Sequence, residues 1–281
     1  MRPPCPFAVD FAPAPPLLLH RPPLRRTDSN SPLRRAGGRT LAFVSHYLPR
    51  GHTLRCETGG DWPAGPCAPV RLMHDASPDV GKWIQSVWRA PDRRLFGWYH
   101  GEVFLEASRL FVPHVGALVS DDDGLTWSFL GELLRAADSD VDPAYANGFL
   151  AGGYGDFCVV PDRAAEWFYL CYSSYVPDET RQGVAVARYR VADRAAPRRL
   201  ELWRDGAWRA RRTGEDATPV FPARRGWRHR DPDAFWGPAI HYNRALDRFV
   251  MLLNWTTEGN ADMVQRGVFV SFNTDLADPD G

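Results

Sequence analysis

The sequence predicts an all-β fold made of repeated four-stranded units, as in a β-propeller. Four segments of the 281-residue chain share one layout, a short apolar strand, a polar turn and a second strand rich in aromatic residues, at 29–47, 83–102, 156–175 and 236–255. The turns between the strands read AGG, APDR, PDRAAE and NRALD, which are typical of β-hairpins. Nowhere does a 3.6-residue hydrophobic period extend over the length of a helix.

A second repeated element supplies the outer part of each unit. It reads GALVSDDDGLTW (116–127), GVAVARYRVAD (183–193) and GVFVSFNTDLADPDG (267–281), in each case a glycine, a short alternating strand and an acidic turn. A hairpin together with this element gives about four strands per unit, which is the composition of a propeller blade.

Composition limits the functions that fit the chain. Hydrophobic residues are 44% and charged residues 24%, so the chain can bury a core. The charges balance at 34 basic and 34 acidic residues, which gives no reason to expect a nucleic-acid partner. No apolar run is long enough to predict a membrane-spanning helix. With 11 Trp, 9 Tyr and 15 Phe, the sequence favours a ligand stacked on aromatic rings, and it predicts no cofactor.

The five cysteines contain no CxxC pair, so the sequence gives no support for a zinc site. Cys158 and Cys171 lie in apolar strand-like segments and are expected to be buried free thiols. Cys56 and Cys67 flank a loop rich in Gly and Pro and could pair if the protein is exported. Residues 1–26 are rich in proline and lack a continuous apolar stretch, so no signal peptide is predicted and the compartment is left open. They are expected to be a disordered or wrongly assigned leader before a propeller domain at 27–281.

The segment SDDDGLTW fits the pattern Ser-x-Asp-x-Gly-x-Thr-Trp at Ser120, Asp122, Gly124, Thr126 and Trp127. In the expected turn, the Asp accepts hydrogen bonds from backbone N–H groups, the Gly adopts a positive φ and the Trp packs underneath. The pattern resembles the Asp-box of sialidase-like β-propellers. That resemblance implies a position on the outer rim, away from the active site, and therefore a structural role.

Further segments extend the resemblance over roughly residues 27–281. AGGYGDFCVVPD, DAFWGPAIHYN…FVMLLN and GVFVSFNTDL are similar to segments of bacterial five-bladed propellers related to the family 43 glycoside hydrolases. The resemblance implies a five-bladed ring, of which four blades are evident here and the fifth is incomplete or truncated. We therefore expect an open side between the first and fourth blades. The tripeptide from Asn30 to Pro32 matches these relatives, whereas Gln85 stands where they lead us to expect an acid.

The candidate site lies where the innermost strands begin, because ligands of propellers bind at the mouth of the central channel. Glycoside hydrolysis needs two carboxyl groups across the scissile bond. By position in the related enzymes, Asp28 would be the base, while Asp156 and Glu102 would supply the other carboxylates. The candidates for substrate binding are polar or aromatic residues near the same strand ends, namely Asn30, Gln85, His100, Trp236 and His241. No residue is assigned to a metal.

Two functional hypotheses follow from these residues. The first is a carbohydrate-active propeller that hydrolyses a plant or bacterial glycan by carboxylate acid/base chemistry. The second is a propeller that binds a glycan or serves as an interaction scaffold after losing part of the acid/base set, and Gln85 favours it. The sequence also predicts that Asp28, Gln85, Asp156 and Trp236 converge at one channel mouth.

Overall fold

The computed structural model describes residues 27, 29–36, 38–46, 52–58, 66–75, 79–257 and 266–280. They form an all-β structure of four separate sheets in a β-propeller arrangement, with three short 3-10 turns at Asp138–Asp140, Glu179–Arg181 and Val191–Asp193. Each predicted hairpin is present and supplies two adjacent strands at one edge of a sheet.

The strands follow one another through the sheets in chain order. The first sheet contains β1 (Leu33–Ala36), β2 (Arg39–His46), β3 (His52–Thr58) and β4 (Cys67–Pro69). The second contains β5 (Arg71–Met73), β6 (Gly81–Arg89), β7 (Leu95–Leu105), β8 (Leu110–Ser120) and β9 (Thr126–Leu134). The third contains β10 (Tyr154–Pro161), β11 (Trp167–Ser174), β12 (Gly183–Arg190), β13 (Glu201–Arg204), β14 (Ala207–Ala210) and β15 (Phe221–Pro222). The fourth contains β16 (Ala234–Asn243), β17 (Arg248–Thr256) and β18 (Gly267–Asn273).

Pairing is antiparallel except between β5 and β9. Consecutive strands pair within each sheet, apart from β5, which joins β9, and β15, which joins β12, and the inner strand lies at one edge. The inner strand β10 packs against both β6 and β16, which brings the inner edges of three sheets together. This arrangement places the candidate site at the inner edges of the sheets.

Hydrophobic clusters join neighbouring sheets. Leu41 and Phe43 pack on the second sheet, and Trp98 lies in the large cluster that joins the second and third sheets. Ile240 and Met251 join the third and fourth sheets. Among the described residues, no hydrophobic cluster joins the first sheet to the fourth. The four sheets support the propeller arrangement, and the five-bladed ring stays a prediction.

The turn between β8 and β9 has the predicted hydrogen bonds. Asp122 accepts from the backbone N–H groups of Leu125 (3.0 Å) and Thr126 (2.9 Å) and from the Thr126 hydroxyl (2.7 Å). Gly124 has φ +85°, and Trp127 is fully buried with its indole N–H donating to the Gly124 carbonyl. The turn lies between two outer strands of its sheet, so these contacts support a structural role.

The cysteines match the predictions in part: the pair that the sequence left open is formed, and of the two thiols expected to be buried only Cys171 is. Cys56 and Cys67 form a disulfide between β3 and β4. Cys158 and Cys171 are free thiols that face each other across β10 and β11, the first half-buried and the second buried. Among the described residues, no helix is long and apolar enough to cross a membrane.

Candidate functional site

Three inner strands carry a break in register at corresponding places. In β6 the break lies between Ile84 and Ser86 and leaves Gln85 unpaired; in β10 it includes Asp156; in β16 it includes Gly237. Asp156 and Gly237 both adopt positive φ values, +43° and +58°. Because a bulge redirects the side chains around it, the three breaks change what the sheets present at their inner edges.

His100 on β7 connects two of these strands, β6 and β10. Its Nδ1 accepts from the backbone N–H of Asp156 (3.1 Å) and lies 3.2 Å from Nε2 of Gln85. Its Nε2 lies 3.4 Å from Oε1 of Glu102. Since Nδ1 acts as an acceptor, the neutral ring carries its proton on Nε2, on the side of Glu102. The ring is buried and packs edge-on against Trp83.

The absence of a side chain at Gly155 leaves room for the His100 ring. A Cβ at Gly155 would lie 2.6 Å from Cε1 of His100, closer than atoms can approach. The Gly-Tyr-Gly-Asp sequence at the start of β10 therefore serves the packing of His100 as well as the break in register at Asp156. Any larger side chain at position 155 would displace the ring.

Asp156 is fixed by a tyrosine that the sequence analysis did not single out. The Tyr175 hydroxyl donates to Oδ2 of Asp156 at 2.7 Å. Burial, followed by the negative charge of Asp156, raises the pKa of Tyr175 well above its ordinary value, so that the hydroxyl stays protonated and remains a donor. Ser173 donates to the Asp156 carbonyl (3.4 Å) and accepts from the N–H of Gly237 (3.0 Å), which ties the third sheet to the fourth.

Two carboxylates thus flank one imidazole. Oδ1 of Asp156 is 4.0 Å from Nδ1 of His100, and Oε1 of Glu102 is 3.4 Å from Nε2. The side chains of Asp156 and Glu102 are 21% and 20% exposed, so both can reach a ligand while their positions are held by protein.

The other predicted residues divide into two groups. Gln85 lies at the centre, where its Oε1 accepts from the N–H of Phe157 (2.9 Å). The Asn30 amide donates to the carbonyls of Phe157 (2.8 Å) and Pro238 (3.2 Å), so it bridges the third and fourth inner strands. Both side chains use these polar groups to hold the inner strands together.

Trp236 lies beside the bulge of β16, half-buried against the core between the second and third sheets. His241 lies further along β16, opposite Val250, and is exposed; none of the contacts among the described residues brings it to His100 or Asp156. Asp28 is outside the described residues, so the convergence is seen for Gln85 and Asp156, with Trp236 next to it.

A second charged cluster lies on the opposite face of β7. The side chain of Asp79 has no exposed surface and lies 2.9 Å from Nζ of Lys82 and 3.3 Å from Nε2 of His114. Burial alone would raise the pKa of Asp79, but hydrogen bonds and positive charge from these two neighbours lower it to about 2. Lys82, the single lysine of the chain, also pairs with Asp75. We read this cluster as the ionic contact that anchors the start of β6.

The site offers no grouping of metal ligands. Among the residues that the structure describes, no three His, Cys, Asp or Glu side chains are arranged to hold a metal ion.

No family model matches the chain, and no curated protein matches it. Several solved structures are similar to the chain. An endo-1,5-α-L-arabinanase from Thermotoga petrophila is 13% identical with a TM-score of 0.51, and the match covers 92% of this chain and 54% of that one. The family 43 glycoside hydrolase YxiA from Bacillus licheniformis is 12% identical with a TM-score of 0.52, covering 90% and 54%.

An exo-β-1,3-galactanase from Phanerochaete chrysosporium is 10% identical with a TM-score of 0.52, covering 90% of this chain and 48% of that one. The chain therefore spans about half the length of these similar proteins. At such identities the likeness establishes a shared propeller fold.

Proposed function

We propose that the protein is a carbohydrate-active propeller that hydrolyses glycosidic bonds with the carboxyl groups of Asp156 and Glu102. The observation that carries the proposal is the pair of partly exposed carboxylates held on either side of the buried His100 ring. Solved structures of the same fold include proteins named for their action on arabinan and galactan, which makes these polysaccharides the first substrates to test.

Roles follow from the contacts of each carboxyl group. Glu102 would donate a proton to the leaving oxygen, with the Nε2 side of His100 orienting it. Asp156, whose Oδ2 is held by Tyr175, would activate water or attack the sugar carbon. The resemblance alone assigns the base role to Asp28; where Asp28 fills it, Asp156 would instead tune the acidity of Glu102.

The test is a screen of the purified protein on α-1,5-arabinan, β-1,3-galactan and 4-nitrophenyl glycosides. Glu102→Gln and Asp156→Asn should each remove most of the turnover, because proton transfer by a placed carboxyl group contributes about 10²–10⁴-fold. Glu106→Gln is the matched control, since Glu106 is an exposed acid in the turn after β7. Unchanged turnover in both site variants would refute the catalytic roles.

A binding function is the second candidate, and Gln85 favours it. An amide stands where the resemblance predicts an acid, and its oxygen is engaged by the backbone of β10. In that case the wild-type protein would retain glycans on an array without releasing products, and Asp156→Asn would weaken the retention.

A further inference from the structure

A recess with an aromatic wall lies at the start of β16. It has a volume of about 190 Å³ and is bordered by Asp233, Phe235, Trp255 and Phe269, together with Pro222 and Arg224. Phe235 immediately precedes Trp236 on β16 and pairs with Trp255 on β17. The recess therefore lies at the same end of the blade as the bulge at Gly237, whose N–H is bonded to Ser173 beside Asp156.

The aromatic rings are held in fixed positions. The indole N–H of Trp255 donates to Oδ1 of Asp233 at 2.9 Å. Phe269 packs edge-on against both Trp255 and Phe235, with ring centroids 5.6 and 5.1 Å apart, and is still 41% exposed. Phe269 therefore presents a partly open ring surface that two aromatic neighbours support.

Polar groups accompany the rings. Oδ2 of Asp233 makes no hydrogen bond with any residue that the structure describes, and the exposed Arg224 borders the recess. Rings beside a carboxylate and a guanidinium match the two sides of a sugar, whose C–H face packs on aromatic carbon and whose hydroxyl groups bond to charged side chains. The small volume, below the roughly 300–1,000 Å³ of pockets that hold whole ligands, suits one sugar ring.

We propose that this recess is an accessory subsite that holds a sugar ring of the same glycan chain at a distance from the bond being cleaved. The inference rests on the proposed function, and it deepens it by specifying the substrate as an oligo- or polysaccharide long enough to reach both sites. Trp255 and Phe269 supply the platform, and Asp233 both locks the indole and binds a hydroxyl. In this proposal the sugar ring stacks on Trp255 of the neighbouring strand β17, whereas the sequence suggested Trp236 for that role.

The experiment compares long and short ligands. For wild-type protein, kcat/KM is measured on α-1,5-arabino-oligosaccharides or β-1,3-galacto-oligosaccharides of two to six units and on the matching 4-nitrophenyl monoglycoside. Phe269→Ala should lower the ratio of long to short kcat/KM about tenfold, the loss expected from one stacking contact. Trp255→Phe, which keeps an aromatic ring but loses the contact to Asp233, should lower it less.

Trp167→Ala is the control, because Trp167 is a half-buried tryptophan on β11 that stacks on Arg188 and Arg190 outside the recess. An unchanged ratio in Phe269→Ala, or an equal change in the control, would overturn the subsite and leave the proposed hydrolase standing. If the wild-type protein binds the oligosaccharides in calorimetry but releases no product, the hydrolase fails, and weaker binding of long ligands to Phe269→Ala still supports the subsite. If the wild-type protein neither binds nor hydrolyses any of these ligands, both the hydrolase and the subsite are overturned.

Discussion

The substitution Asp156→Asn should reduce catalytic turnover while leaving the stability of the fold nearly unchanged. Asp156 has φ +43°, a left-handed conformation that Asn tolerates nearly as well as Asp. The Asn oxygen can also accept the hydrogen bond from Tyr175 that Oδ2 accepts in the wild type. The substitution thus removes the charge and keeps the geometry. Turnover should fall about 10²–10⁴-fold, with the melting temperature nearly unchanged.

Asp156→Ala gives the contrasting result. It places a Cβ-bearing residue with no local hydrogen bond in the left-handed region, at a cost of about 1–2 kcal/mol. It also leaves the buried Tyr175 hydroxyl without its acceptor, which costs about 1–3 kcal/mol more. At about 2–4 °C per kcal/mol for a domain of this size, the melting temperature should drop by several degrees.

The assay is steady-state hydrolysis of the best substrate from the screen, together with thermal unfolding followed by circular dichroism. Turnover of Asp156→Asn within threefold of wild type would exclude the carboxylate from the chemistry. If Asp156→Asn instead melted as early as Asp156→Ala, the charge itself would be a structural element, and the argument from φ and Tyr175 would be refuted.

Three other predictions concern stability. Asp122→Ala removes an acceptor of several hydrogen bonds in the β8–β9 turn and should cost about 2 kcal/mol in urea unfolding without changing glycan hydrolysis; a loss of hydrolysis in the folded variant would contradict the structural role. Because the pKa of Asp79 is lowered in the folded protein, its contribution to stability is present above about pH 4 and is lost as the pH falls toward 2. Asp79→Asn should therefore make the unfolding free energy less dependent on pH between about pH 4 and 2. A fall as steep as that of the wild type would contradict the lowered pKa of Asp79. Replacing Cys56 and Cys67 with Ala should cost about 2–3 kcal/mol and make the melting temperature insensitive to dithiothreitol, whereas a continued response to the reductant would assign it to other thiols.

The strands were predictable because their signal is local. Alternation and turn residues within each hairpin identify β6 with β7 and β10 with β11, and the pattern from Ser120 to Trp127 specifies its own turn. Strand β3, which precedes a segment rich in Gly and Pro, was not predicted, because its side chains find their partners on β2 and no hairpin motif marks them. Local pattern shows which segments are extended, and it cannot show which sheet a lone strand joins.

The site was predictable only in part. Asp156 could be selected because a carboxylate beside an apolar strand needs a partner, but the partner, Tyr175, lies on the next strand in a place that no motif marks. His100 and Glu102 could be noticed in GWYHGE, whereas their relation to Asp156 depends on the bulge in β10. Trp255 was overlooked since many of the 11 tryptophans are ordinary core residues.

The irregular backbone of the inner strand ends supports the proposed binding site. A regular hairpin would pair Gln85, Asp156 and Gly237 across their ladders, with negative φ throughout and every backbone group satisfied by a neighbour. Instead, each of the three inner strands departs from its ladder, and two residues adopt positive φ. Such departures cost stability and persist where the surrounding contacts enforce them, here through His100, Tyr175 and Ser173. The break in β10 places Asp156 beside His100 and Glu102 of β7, and Ser173 links Asp156 to the break in β16, so the cost of these departures is offset by contacts that hold the candidate site together.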